Sequence, residues 1–396
     1  MIPPRTKVVS SLGIVQIFAW GSSYYLLAPL AGAIAEDTEW GHALISAGVS
    51  VALLMSGLTA PKIGRWIGRS GGRKTLCLGM AFMAIGLFLL SMAHAPWVYL
   101  LAWSVLGCGM AAGLYDAAFS VLGAAYGRDA RSAITQLTLW GGFASTVCWP
   151  LSAWLVESIG WRTTCLLYAG IHIFGTLPLC WWALPHASAT HSATMHEPVR
   201  RSEVGVRRAD IRFLCIVVAG VTLTLLATIW SIHMVTILTA GGYTTAAAIA
   251  VGTLIGPSQV GARVVEMMGG GRHHPIWTML AATMLVFVGF LGLQMGFPAA
   301  AALVAYGAGN GLWSIARGAL PLALYGPEHY GALMGRLARP MLLAGAAAPT
   351  LGALLIDKVG AETTMVLLAA TAIVPFSMAF LIHVDLMRER RSAEFL

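Results

Sequence analysis

The chain has 396 residues, of which 58% are hydrophobic and only 10% charged. A soluble domain covers its surface with about 25% charged residues, so a water-facing surface of ordinary polarity is excluded. The net charge of +8 does not point to nucleic acid, because the basic residues fall in short loops between apolar runs, as topology signals do.

Along the chain, Arg5 and Lys7 precede an apolar run from Val8 to Ala35. That run is about twice the core of a secretory signal, so it reads as a retained first helix. A helix needs about 20 apolar residues to cross the hydrocarbon core. Twelve such stretches follow one another, at 9–35, 42–63, 75–94, 97–125, 133–157, 161–184, 211–240, 245–268, 275–295, 298–325, 331–356 and 362–386. The one long polar break, 185–210, carries Pro185, Pro198, three histidines and several arginines. It reads as a linker between a six-helix bundle at 1–184 and a second at 211–396. The fold class expected is an all-α membrane protein of twelve transmembrane helices in two pseudo-symmetric six-helix bundles.

Lysines and arginines divide unevenly between the two sides. With the N-terminus inside, inner segments hold twenty and outer loops only Arg162 and Lys358, while Arg263 and Arg317 lie within spans. This asymmetry predicts both termini on the cytoplasmic side of a bacterial inner membrane.

The halves also resemble each other. Leu151, Ala153, Leu155, Glu157 and Gly160 recur 200 residues later as Leu351, Ala353, Leu355, Asp357 and Gly360, and Gly107-x-Gly109 recurs as Gly307-x-Gly309. Parallel repeats of this kind imply a pseudo-two-fold axis along the membrane normal, with a solute site near the midplane where the halves meet.

Several classes of function lack their motifs. Six cysteines sit in or beside apolar segments without a CxxC pair, which argues against a zinc site or other metal centre and against a disulfide framework. No GxxxxGK[ST] loop is present to bind ATP, no HExxH or GxSxG marks an enzyme, and no cofactor is implied. A sensor or scaffold, the reading of another class, would need a soluble output domain.

The segment Gly64-Arg65-Trp66-Ile67-Gly68-Arg69-Ser70-Gly71-Gly72-Arg73-Lys74 after span 2 resembles the signature loop of the major facilitator superfamily. Twelve spans, a central linker and Gly160-Trp161-Arg162 before span 6 fit the same family. Trp20-Gly21-Ser22-Ser23-Tyr24-Tyr25 in span 1 looks like the branch near monocarboxylate transporters, while the Gly-x-x-x-Gly-Pro run of drug/proton antiporters is missing from span 5. The resemblance implies a gating role for Arg65, Arg69, Gly71 and Arg73. Gly68 stands where the family usually has an acid. The corresponding turn of the second half carries Arg263 and Glu266, three apart on a helix and so able to pair; Glu266 is the candidate to supply the missing acid.

The resemblance further implies a monomer whose spans 1, 4, 7 and 10 line a central cavity. An ionisable group inside a span is by default a functional hypothesis. Asp116 in span 4 is a candidate proton carrier, and His233 in span 7 a second. Arg317 in span 10 offers a fork of donors suited to an oxyanion, unless it pairs permanently with Asp116. Gln16, Trp20, Tyr24 and Tyr25 (span 1), Tyr115 (span 4), Trp230 (span 7), and Asn310 and Trp313 (span 10) are candidate solute contacts, since binding sites are mostly apolar with a few placed polar groups. The expected function is secondary transport of a small molecule, driven by protons. Efflux of a toxic or drug-like compound is the first reading, and uptake of a small organic anion such as a monocarboxylate the alternative.

Overall fold

A computed structural model describes residues 5–184, 210–269, 271–328 and 330–394. The expected linker 185–210 lies outside the described residues, save Asp210. Every regular element among the described residues is helical, as a bilayer requires of a chain that must satisfy its own backbone polar groups.

Spans 2, 3, 7, 9, 10 and 11 are single helices: His42–Ser70, Gly72–Ser91, Ile211–Ala240, Pro275–Gln294, Ala299–Tyr325 and Tyr330–Val359. Spans 1, 4, 8 and 12 are interrupted. Span 1 runs Arg5–Gly21 and Leu27–Thr38, span 4 Pro96–Gly113 and Tyr115–Tyr126, span 8 Thr245–Gly252 and Ile255–Met268, span 12 Ala361–Thr371 and Ile373–Glu394. Span 5 begins as Ala130–Gly142 and resumes as Ala144–Ile171, which turns at Gly160 into span 6. Span 6 then passes through a π-helical turn, His172–Thr176, and ends as Leu177–Ala183.

The interruptions have local causes. A proline ring clashes with the carbonyl four residues before it, and span 8 breaks at Thr253–Leu254 ahead of Pro257. Span 4 breaks where Leu114 turns extended (φ −86°, ψ −168°). Beside that break the Gln16 amide donates to the Gly113 carbonyl at 2.7 Å. The π turn of span 6 is built around His172. Thr176 donates its hydroxyl to the His172 carbonyl and so accepts from Nδ1, which leaves Nε2 to accept from the Ser22 hydroxyl at 2.7 Å.

The 200-residue repeat is written into the backbone. Gly160 (φ 77°, ψ 160°) and Gly360 (φ 83°, ψ 162°) make the same turn between the fifth and sixth spans of each half. Gly71 (φ 82°) and Gly271 (φ 72°) likewise turn span 2 into span 3 and span 8 into span 9. Such positive φ values favour glycine. Gly107 lies against Ala52 of span 2 and Gly307 against Ile255 of span 8, while Gly109 and Gly309 meet Met83 and Val286 of the third span in each half. One recurring pair of glycines thus seats the fourth span of each repeat between its second and third.

Contacts across the halves gather toward the face that carries the basic loops. Span 2 packs along span 11, span 5 against spans 8 and 10, and the second part of span 4 against span 11. The approach of span 2 to span 11 is a backbone contact. A Cβ on Gly64 would lie 3.2 Å from Gly335 Cα, and one on Gly335 would lie 3.2 Å from Pro61 Cα. The segments Leu27–Thr38, Thr245–Gly252 and Ala361–Thr371, at the opposite face, pack mainly within their own halves. The halves therefore meet on the basic face and part toward the other.

Candidate substrate site between the halves

Asp116 lies in the first turn of the second part of span 4, two residues beyond the Leu114 break, and Arg317 lies on span 10 facing it. Arg317 Nη2 donates to both carboxylate oxygens of Asp116, a charge-assisted contact between the halves. Both side chains are about one-fifth exposed, so the pair is neither sealed in the core nor free in water. Beneath it, toward the basic face, Tyr330 of span 11 donates its hydroxyl to the Gly318 carbonyl at 2.7 Å, and the Tyr330 ring covers Gly123 of span 4.

Span 10 presents Asn310, Ser314 and Arg317 at i, i+4 and i+7, one polar face of a helix. Arg263 of span 8 reaches this face. Its Nε donates to Ser314 Oγ at 3.1 Å and to the Gly311 carbonyl at 3.4 Å, and its Nη2 donates to Gln259 Oε1 at 3.3 Å. The residue is 5% exposed, yet its Nη1 is buried with no hydrogen-bond partner. No carboxylate pairs with it among the described residues. The guanidinium extends over Gly142 of span 5, where a Cβ would collide with Nη1. The neighbouring Gly141 makes room in the same way for the Tyr115 hydroxyl, which donates to the Thr138 carbonyl at 3.3 Å.

The expected pairing of Arg263 with Glu266 is therefore not formed. Glu266 instead accepts from Arg131 Nη2 of span 5 at 3.1 Å and from the Thr278 hydroxyl at 2.8 Å, with His273 Nε2 at 3.3 Å. The physical reason is angular: three residues on a helix separate the two side chains by about 60°, enough to send Arg263 to span 10 and Glu266 to span 9. Arg131 also donates to the carbonyls of Gly271 and His273, so an ionic knot ties span 5 to the turn between spans 8 and 9. By sequence alone Arg131 is one of the twenty basic residues of the inner segments.

The aromatic residues of span 1 do collect at the junction. Trp20 lies 5.1 Å from Tyr115, 5.7 Å from Tyr24 and 6.0 Å from Tyr25, ring centre to ring centre. Tyr115 stacks on Phe119 at 5.1 Å, and Tyr25 meets Trp149 of span 5 edge-on at 6.0 Å. Tyr25 and Tyr115 lie within electrostatic reach of Arg263, and Tyr24 reaches Thr228 of span 7 across the junction. Asn310 is half-buried, and its amide makes no hydrogen bond among the described residues.

Other candidates are placed elsewhere. Gln16 is fully buried, donates to Gly113 and accepts from Trp20 Nε1, so its polar atoms are spent on the break in span 4. Trp230 is fully buried in the second half against Phe290 and Tyr306, behind the cleft wall. His233 donates from Nε2 to the Pro349 carbonyl at 3.1 Å, a contact within the second half. Trp313 is buried in the body of span 10. Arg65 and Arg69, expected in a loop after span 2, lie instead on the last turns of the span 2 helix, where they are exposed, and Gly71 makes the turn into span 3. Arg73 donates to the Trp181 carbonyl at 3.0 Å and lies over the Trp181 ring, a contact inside the first half.

A twelve-span, twice-repeated helical bundle with polar side chains gathered between its halves defines a multi-pass membrane transporter. The chain belongs to the Major Facilitator Superfamily, whose family model matches residues 12–337. Over 140 residues it is 30% identical to human monocarboxylate transporter 6, a stretch that is 35% of this chain and 26% of that relative. The match therefore spans about a quarter of that protein's length. Among solved structures the fold is similar to the human organic anion transporter MFSD10 (TETRAN), at 16% identity and a TM-score of 0.74 over 95% of this chain and 100% of that one. It is also similar to the transporter FucP in its outward conformation, at 13% identity and a TM-score of 0.72 over 94% and 98% of the two chains. Members of this superfamily carry small molecules through a lipid bilayer and are generally not enzymes.

Proposed function

We propose that the chain carries a small organic anion, coupled to protons, by alternating access. The observation that supports this is Arg263, a buried guanidinium at the junction with no carboxylate partner among the described residues and one nitrogen unmatched. A permanently charged group held out of water costs several kcal/mol unless paired. An anionic solute entering from the open face would supply the missing charge. An uncharged drug-like cargo would leave the guanidinium unmatched, so the geometry favours anion carriage over drug efflux. A monocarboxylate transporter among the relatives and an organic anion transporter among the structural neighbours agree with this reading.

Asp116 and Arg317 are the proposed coupling pair. Protonation of Asp116 removes the charge that holds Arg317, loosening a contact between the halves on the closed side. The proton and the solute would then be sensed at separate sites, Asp116 on span 4 and Arg263 on span 8. The basic face is taken as cytoplasmic, in keeping with the distribution of arginine and lysine.

The test is transport in liposomes enclosing a pH dye, with lactate, benzoate and succinate as trial solutes. Wild type should acidify the lumen in the presence of a carried anion, Arg263→Gln should abolish it, and Asp116→Asn should keep solute binding while losing proton flux. Undiminished anion flux in Arg263→Gln would sink the anion reading.

A further inference from the structure

Resting on the anion reading above, the geometry points to one class of solute: a monoanion with a flat aromatic body, an aryl carboxylate in preference to a short acyl acid or a dicarboxylate. The argument begins with charge. Three arginines lie between the halves; Arg131 is matched by Glu266, and Arg317 is already neutralised by both oxygens of Asp116. Arg263 is bonded only to the neutral acceptors Ser314, Gly311 and Gln259. The site therefore offers one unmatched positive charge. A second carboxylate would be buried without a partner, at the cost attached to any unpaired charge.

The donors make the second part of the case. Arg263 Nη1 has no acceptor, and the Tyr25 hydroxyl makes no hydrogen bond among the described residues. They belong to opposite halves, spans 8 and 1, and lie within electrostatic reach of each other. A carboxylate has two oxygens, and this pair gives each a donor. Gly142 keeps the span 5 wall beside Nη1 free of any side chain.

The walls decide the rest. Around these donors the first half presents Trp20, Tyr24, Tyr25 and Tyr115, whose rings meet at centroid distances of 5.1 to 6.0 Å and at steep angles, 38° to 83°. Aromatic rings prefer offset or edge-to-face neighbours. A cluster tilted in this way offers both ring edges and ring faces to a flat apolar guest. A two- or three-carbon acid would satisfy the donors and leave the rings unengaged.

Binding to the purified full chain in detergent, followed by quenching of tryptophan fluorescence and by isothermal titration, tests the inference with benzoate, lactate and succinate as probes. Benzoate should bind at least tenfold more tightly than lactate, with succinate weakest. Trp20→Leu should remove the advantage of benzoate and leave lactate unchanged. Tyr25→Phe, which keeps the ring, should weaken both monoanions alike. Equal affinity for benzoate and lactate in the wild type, or tightest binding of succinate, overturns the aromatic class while leaving anion carriage standing. The wild-type comparison decides this even if Trp20→Leu fails to fold. Binding of none of the three, or binding indifferent to Arg263→Gln, overturns both.

Discussion

Under the anion proposal Arg263 is the residue on which binding turns, because burial without a counter-charge is tolerable only when something else supplies the charge. Truncating one partner of a buried, hydrogen-bonded charge pair costs roughly 2–5 kcal/mol, so Arg263→Gln should weaken anion binding by roughly 30-fold or more, read by titration calorimetry. Arg263→Lys should rescue little of it, since an ammonium cannot reproduce the planar fork. Gly142→Ala tests the same site from the other half: a methyl there displaces Nη1 and should lower affinity while leaving the thermal midpoint nearly unchanged. A different residue sets an acid limit on stability. Beyond the apolar stretch of span 1, Asp37 accepts from Arg162, whose guanidinium holds its carboxyl below the usual 3.8, with Trp161 Nε1 as a further donor at 3.2 Å. A depressed carboxylate contributes stability that is complete above its unfolded value and lost as pH falls through the folded one. The contribution should therefore be full at neutral pH and fade below about pH 4. Asp37 is half-exposed, so Asp37→Asn should cost about 0.5 kcal/mol at pH 7 and nothing in strong acid, as thermal melts at the two pH values would reveal.

Among the helices, two kinds of contact close the basic face. Spans 2 and 11 touch through glycine backbones, Gly64 against Gly331 and Gly335. Inserting a side chain into a packed interface costs roughly 1–3 kcal/mol, here charged only to the closed arrangement. Gly335→Val should thus shift the population roughly ten- to a hundredfold toward opening on the basic face, visible as faster thiol labelling of a cysteine placed at Ala60. Spans 5 and 8 are tied instead by Arg131 and Glu266. This is where the departure at Gly68 finds its physical sense. The end of the span 2 helix carries no acid and its Arg65 and Arg69 are exposed, whereas the corresponding end of span 8 holds Glu266 and uses it across the junction. Glu266→Gln should open the basic face in the same assay, and Arg131→Gln with it should add little, because both changes remove one interaction.

At the scale of the whole molecule, the two halves act as bodies only if their mutual contacts can be exchanged. The Asp116–Arg317 bridge joins the two halves, and under the proton-coupling proposal it is the contact that a proton on Asp116 would weaken. Asp116→Asn leaves Arg317 unpaired, and breaking such a pair costs about 3–5 kcal/mol, so this variant should favour the arrangement in which the halves part on the basic face. Asp116→Asn combined with Arg317→Gln should recover part of that loss, because no charge is then stranded, yet should stay uncoupled from protons. Spin-label distances across the basic face would separate these outcomes. Equal distances in all variants would leave the bridge without a part in switching.

Twelve spans and their twofold repetition were legible in the chain, because they rest on the length of apolar runs and on residues that recur at one offset; that Gly71, Gly160, Gly271 and Gly360 make the turns is seen only in the backbone. The matching depths of Asp116 and Arg317 were legible too, since the two stand 201 residues apart in a chain that repeats near 200, but whether they pair was left open. Side-chain direction was not legible. Arg263 and Glu266 stand three apart, and only packing against spans 10 and 9 decides that they diverge, one to an unpaired place beside Gly142 and the other to Arg131. For the same reason Gln16 and Trp230, equally eligible by depth, turn to a broken helix and a core. Periodicity states which residues share a helix face, but which face meets the cleft is set by the neighbouring helices, and that arises only when both halves are folded together.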